Sequence, residues 1–317
     1  MDTDTPPGNA SLHGKIPAHM KLDGVHHVTA ITGDAPQNLD FYSRILGLRL
    51  VKKTVNQDDP TVYHLFYADD RGSPGSDITF FEYPGAGRGR AGAGMVHTVV
   101  WRVSSEEGLD FWTKRLEEEG VAVEREPGRL RFADPEEMGL ELAVVHSADE
   151  PLVATHAEIP VEHALQGFDG VRAYAADPAR SASLLGETLG FGDTGDGTWE
   201  SRGETRGSIY AYDTPPGEPG IGGAGTIHHV AWASDLEDHE AWQKCVAEAG
   251  ARPTPIIDRF YFRSIYFREP SGVLFEIATK GPGFSADEDP EHLGERLSLP
   301  PNYESLRSQL EQVLTPL

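Results

Sequence analysis

The sequence is short of cysteine, of positive charge and of long apolar runs. Its 317 residues contain one cysteine, Cys245, so no internal disulfide can form, which fits a reducing compartment. Lys and Arg number 27 against 51 Asp and Glu, a net charge of −24. A surface so acidic repels phosphate, which excludes nucleic acid and anionic lipid as natural partners. No apolar run approaches the roughly 18 residues that a membrane span needs. Residues 1–20 are polar, with Pro, Gly and Asp, and lack the basic-then-apolar order of a signal peptide. The expectation is a cytoplasmic protein with no membrane partner. Hydrophobic residues make up 38% of the chain, which supplies a folded core and excludes wholesale disorder. At about 100–200 residues per domain, the length suggests two domains.

What the chain does have is a repeat. Four segments share one order: a short apolar strand, a capped helix ended by glycine, then further strands. The first begins at Leu22, with a strand at 25–31, a helix capped by Asp34 and ended by Gly47, and strands at 48–55, 61–68 and 78–83. The second begins at Gly94, with a strand at 95–103, a helix from Ser104 or Ser105 to Gly120, and strands near 122–125, 130–133 and 140–145. The third is placed at Gly170, with a strand at 171–175, an Asp177-Pro178 helix entry, a stop at Gly190 and one clear later strand at 208–212. The fourth begins at Gly225, with a strand at 227–233, a helix from Ser234 or Asp235 to Gly250, and strands at 261–267 and 273–278. Each unit is a βαβββ module, giving an α+β fold of four modules in two pairs, because one module cannot cover both faces of its sheet. The expected division is a tail at 1–20, a first pair at 21–148, a linker at 149–164, a second pair at 165–280 and a tail at 281–317. The last tail includes a helix over 303–314 with Leu306, Leu310, Val313 and Leu314 on its apolar face.

Two of the four first strands carry a His-His pair, His26-His27 and His228-His229. Aligning the units puts Thr98 and Ala173 where the second histidine stands. Glu276, inside the apolar run 273–278, aligns with Ala143, and with Thr79 and Ala211 in units one and three. His27, His229 and Glu276 thus hold matching positions. Two histidines and a carboxylate on rigid strands are the donor set of non-haem Fe(II) oxygenases, which leave positions open for substrate and O₂; Mn(II) suits the same donors. The plain alternative is two ordinary strand histidines and a solvated glutamate. Against it stand the paired placement and the expense of burying a lone carboxylate. Adjacent strand residues face opposite ways, so His26 and His228 either support the site through a twisted strand or pack towards the helices.

With these motifs in view, the sequence resembles the ring-cleaving extradiol dioxygenases of the vicinal oxygen chelate superfamily, and among them the hydroquinone 1,2-dioxygenase type. The likeness is carried by Val25-His26-His27-Val28-Thr29, residues 48–54, Tyr63-His64-Leu65, residues 160–164, Ile227-His228-His229 and the stretch from Arg259 through Tyr266 to Glu276. It implies paired βαβββ modules, Fe(II) held by His27, His229 and Glu276, and His26, His228, Arg259 and Tyr266 around them. It also implies that the first and last units build the site together, with a small aromatic substrate and O₂ as reactants. Self-association stays open. Two other functions compete: a glyoxalase-type metal-dependent isomerase, which usually wants a second carboxylate, and a metal-free binding protein of the same fold. His64 and His163 read as structural histidines. The glycine-rich stretch 85–92 lacks the Lys-Ser/Thr of a phosphate loop and reads as a connection. Cys245 reads as a buried helix residue.

Overall fold

Asp34 shows how the first module turns from strand to helix: its carboxylate accepts the Gln37 N–H at 3.0 Å, with Pro36 in the first turn, and Ser105 caps the second module's helix likewise. In the computed structural model, which describes Ile16 and residues 19–317, the first module runs β1 (Val25–Thr32), α1 (Ala35–Leu39), β2 (Arg49–Asn56), β3 (Asp59–Ala68) and β4 (Asp77–Glu82). The second is β5 (Met95–Val103), α2 (Glu106–Glu118), β6 (Val123–Glu126), β7 (Arg129–Ala133) and β8 (Gly139–Val144). The third is β9 (Phe168–Tyr174), two short helical turns (Pro178–Ser181 and Leu184–Thr188), β10 (Gly192–Gly195), β11 (Thr198–Arg202) and β12 (Gly207–Asp213). The fourth is β13 (Ile227–Ser234), α3 (His239–Glu248), β14 (Ile257–Asp258), β15 (Arg263–Arg268) and β16 (Leu274–Thr279), followed by α4 (Arg307–Val313) in the tail. Nearly all of the expected N-terminal tail, 1–20, lies outside the described residues. No helix among the described residues is long and apolar enough to cross a membrane.

The strands form two eight-stranded sheets, and the pairing differs from the consecutive grouping 21–148 and 165–280. One sheet has the order β14-β15-β16-β13-β1-β4-β3-β2 and joins module four to module one; the other, β10-β11-β12-β9-β5-β8-β7-β6, joins three to two. The reason lies in the connections. The stretch after β4 does not turn back beside its own sheet. It crosses to the other, and the return crossing before β13 runs alongside it, with Arg88 bridged to Ala224 and Arg90 to Ile221. The segment 149–164 therefore links two modules of one sheet.

Each first strand contains a bulge. In β1, Val25 faces Trp232 and His27 faces Ala231, which leaves His26 unpaired; in β13, Thr29 faces His229 and Ala30 faces Ile227, which leaves His228 unpaired. The β5–β9 pair breaks at the same places, leaving His97 and Asp169 unpaired. A glycine with positive φ starts each of these strands: Gly24, Gly94, Gly167 and Gly225. The third module therefore begins at Gly167, three residues before the glycine chosen from sequence, and its register moves accordingly.

The helix-facing sides of the sheets bury Trp101 and Trp232 at matching positions. The concave side of the first sheet holds a separate cluster that includes Phe66, Ala231, Phe262 and Phe284. The C-terminal tail closes this cup: Lys52, fully buried, reaches Asp287 at 2.7 Å, Glu288, and the Phe284 carbonyl at 3.2 Å. Only Arg307–Val313 of the expected terminal helix is α-helical, after a short 3₁₀ turn. Leu310 and Leu314 are buried, whereas Val313 is exposed, because the helix docks on a narrower face than the sequence suggested. Cys245 is half-buried.

Candidate metal centre

β16, β13 and β1 lie side by side in the first sheet, and they bring Glu276 together with His229 and His27, two histidines 202 residues apart in sequence. His27 Nε2 and His229 Nε2 are 3.3 Å apart. Glu276 Oε2 is 3.2 Å from the first and 2.9 Å from the second. All three side chains are buried, and theirs is the only cluster of three such donors within 4.8 Å of one another among the described residues. Donors that each sit about 2.1 Å from one ion lie roughly 3 Å apart at right angles, so the spacing suits a single metal.

The surrounding hydrogen bonds aim the lone pairs inward. Burial, with His27 adding to it, pushes His26 down to about 3, so its ring is neutral and carries one proton. His26 Nε2 lies 3.1 Å from the Thr279 carbonyl, which can only accept, so the proton is on Nε2. His26 Nδ1 then accepts from the Nδ1–H of His27 at 2.9 Å, and His27 Nε2 is left as a bare lone pair facing Glu276. His228 repeats the contact, Nδ1 to Nδ1 of His229 at 2.8 Å, although His228 itself is exposed, unlike His26. The bulges explain this. Each unpaired histidine turns to the same face as its neighbour, which strict two-residue alternation does not allow.

Glu276 Oε1 accepts from Ser264 Oγ at 2.5 Å, whereas Oε2 is enclosed and receives no hydrogen bond. Burial alone would raise this carboxyl; its place well below the usual carboxylate range requires positive charge on the His27 and His229 side, which neutral rings do not supply. A buried anionic oxygen without a donor, facing two imidazole nitrogens, is an arrangement that a cation completes.

A pocket opens beside the cluster. One wall is Tyr266 and Arg259. Tyr266 stands opposite Glu276 in the β15–β16 ladder, its ring 5.5 Å from that of His229. Burial and the Glu276 charge raise its pKa, so the hydroxyl keeps its proton. Arg259 lies 5.5 Å over the Tyr266 ring and is held by Asp58 through bonds of 2.9 and 3.1 Å. Gln57 binds the Arg259 carbonyl at 2.7 Å and so ties the β2–β3 turn to this wall. The other wall is Phe66, Phe81 and His64. Sequence reasoning assigned His64 to packing; its place in the pocket was visible only through pairing with β4. His163 is structural, stacked on Phe111 with its carbonyl accepting from Trp112 at 2.7 Å.

The second cup corrects the repeat alignment. Ladder positions place Glu141, not Ala143, at the Glu276 position: Ala231 pairs with Glu276 as Val100 pairs with Glu141. Gly170, not Ala173, stands at the His27 position, since it faces Val100 as His27 faces Ala231. Thr98 does stand for His229. The carboxylate survives there, but Arg129 and Arg131, at the places of Ser264 and Tyr266, bind Glu141, the latter at 3.0 Å. Two guanidinium groups supply the charge that the first cup leaves unmatched.

A model of the Glyoxalase/Bleomycin resistance protein/Dioxygenase superfamily matches residues 24–142 and 167–277. The chain belongs to that superfamily. It is 43% identical over 305 residues to MhqO of Bacillus subtilis (strain 168), whose name provisionally assigns a ring-cleaving dioxygenase; the match covers 93% of this chain and 97% of that one. It is 32% identical to the chlorohydroquinone/hydroquinone 1,2-dioxygenase of Sphingobium indicum over 92% of this chain and 95% of that one. The crystal structure of a provisionally assigned dioxygenase from Bacillus subtilis superposes with a TM-score of 0.88 at 40% identity, covering 94% of this chain and 98% of that one.

Proposed function

We propose that the protein is an Fe(II)-dependent, extradiol-type dioxygenase that opens the ring of a hydroquinone-like substrate, with His27, His229 and Glu276 as the metal ligands. The observation that carries this reading is the buried cluster of two imidazole nitrogens and one donorless carboxylate oxygen beside an aromatic-walled pocket. The similarity to a chlorohydroquinone/hydroquinone 1,2-dioxygenase supports it. In the reaction one ring C–C bond beside a hydroxyl-bearing carbon breaks, and both atoms of O₂ enter the product. Iron held by these three side chains would let electron density pass from the substrate to O₂. Three protein donors leave room for both; Mn(II) fits the same donors.

The chain's own groups do the rest. His26 and His228 fix the tautomers and orientations of the ligand imidazoles. Phe66, Phe81 and Phe262 line the pocket and exclude water. Tyr266 offers a hydroxyl donor, and Arg259, fixed by Asp58, a permanent positive charge, where negative charge develops on substrate oxygen.

The test is oxygen uptake by protein loaded with Fe(II) under anaerobic conditions. One O₂ consumed per hydroquinone, with loss of the aromatic absorbance, is expected. Isomerisation of a hemithioacetal without O₂ uptake would overturn the reading in favour of a glyoxalase-type reaction. Saturation is expected at one metal per chain, because Gly170 and Thr98 offer no imidazole and Glu141 is already bound by two arginines. Elemental analysis finding two per chain would contradict that account of the second cup.

A further inference from the structure

We infer that His64 determines substrate specificity: its Nδ1 accepts a hydrogen bond from the second ring hydroxyl, the one not at the metal, so that the pocket selects dihydroxylated rings over monohydroxylated ones. The inference rests on the function proposed above and adds a residue to it.

The imidazole of His64 lies between two phenyl rings, 4.0 Å from Phe66 and 4.4 Å from Phe81 by ring centroids, on the pocket wall facing Tyr266 and Arg259. Its Nε2 bonds Thr79 Oγ1 at 2.8 Å, and Thr79 Oγ1 in turn donates to Thr29 Oγ1 at 2.8 Å. A hydroxyl that gives its proton to Thr29 must receive one from His64, so the Nε2 of His64 carries the hydrogen. Nδ1 is then an acceptor, and no group among the described residues bonds it. Burial also keeps the ring neutral, well below the ordinary histidine range. A packing role does not require this. A phenylalanine would fill the space between two aromatic rings, whereas histidine adds at the pocket wall an acceptor that no protein group uses.

The comparison of modules points the same way. Thr79 holds in module one the place that Glu276 holds in module four, and His64 the place of Ser264. Ser264 spends its hydroxyl on the metal-facing carboxylate. His64 anchors one nitrogen at the corresponding point and presents the other to the pocket. Several other polar pocket groups are engaged, Arg259 with Asp58, Gln57 with the Arg259 carbonyl, and Asn56 Oδ1 with the Asp58 N–H, whereas the Thr54 hydroxyl and the Tyr266 hydroxyl are not. A ring with one oxygen at the metal cluster and a second hydroxyl directed at His64 satisfies the unmatched nitrogen.

The experiment measures dissociation constants of hydroquinone and phenol, without O₂, for the Fe(II)-loaded full-length protein. The parent should prefer hydroquinone by up to about tenfold, the worth of one hydrogen bond. His64→Phe should bring the two constants to within about twofold, with phenol binding unimpaired. Thr79→Val, which frees the anchored nitrogen and leaves the ring in place, should also reduce the preference and serves if His64→Phe fails to fold. A preference that survives these substitutions, or a parent without preference, would overturn the inference. The oxygen-uptake assay of the parent decides the proposed function separately. Ring opening by a parent whose preference ignores His64 sinks only this inference, and a His64-dependent preference without ring opening sinks only the dioxygenase reading.

Discussion

Glu276→Gln is expected to lose the metal and with it all measurable ring opening, while the protein itself stays folded. The substitution preserves shape and keeps an oxygen for Ser264 to bond. It removes the one negative charge facing His27 and His229, and it introduces an amide whose N–H₂ can turn towards them. Outer partners of metal ligands alone are worth about 10–100-fold in affinity, and loss of the only charged ligand should exceed that range. Two measurements check it. Elemental analysis should fall from one iron per chain to near zero. Thermal unfolding of the parent should shift upward on addition of Fe(II) without O₂, by an amount equivalent to about 2.7 kcal/mol when the metal is at 100 times its dissociation constant, and that of the variant should not. The stability of the metal-free variant should equal or exceed the parent's, since a buried carboxylate oxygen without a donor is an expense that glutamine avoids. A variant that keeps its iron would remove Glu276 from the ligand set. A variant that unfolds would give the carboxylate a structural role instead. His229→Ala should match the metal loss.

The repeat made the cluster legible in sequence, and the same repeat concealed its counterpart. His27 and His229 could be paired at a distance because each stands four residues or fewer after a glycine that starts its strand. Glu276 was legible because a carboxylate inside an apolar run is costly. The second cup was misaligned by trusting glycines. Gly170 looks like a module start, but the residue with positive φ is Gly167, and Gly139, matched to Gly272 of the turn before β16, in fact stands at the place of Leu274, which displaced Ala143 onto the place of Glu141. The roles of His26 and His228 were left divided because alternation along a strand assumes regular pairing. A bulge is a property of two strands read together, and β1 and β13 are distant in sequence. The grouping of modules failed for a related reason. Neighbours in sequence are the default partners, and nothing in the composition of the glycine-rich crossing announces that it pairs with the connection before β13.

Tyr266→Phe should separate chemistry from metal binding. The hydroxyl stands on the pocket side of β15, opposite Glu276 in the ladder and beside His229, and it coordinates nothing in the cluster. Burial together with the Glu276 charge raises its pKa, and Arg259 over the ring opposes this only in part, so at neutral pH it is a donor. A donor in that position is of little use to the substrate at rest, whose oxygen carries limited charge. It matters more as negative charge grows on oxygen during ring opening, in a site from which water is excluded. Its removal should therefore lower kcat by about 10²–10⁴-fold, the usual worth of a positioned acid or base, with iron content unchanged and KM within a few-fold of the parent. The phenyl ring remains, so stability should change by no more than about 1 kcal/mol. Arg259→Met would be a poorer probe, because it also releases Asp58 in the β2–β3 turn. If Tyr266→Phe opens hydroquinone at the parent rate, the hydroxyl has no part in the reaction, and the ring serves only to pack against His229 and the guanidinium of Arg259.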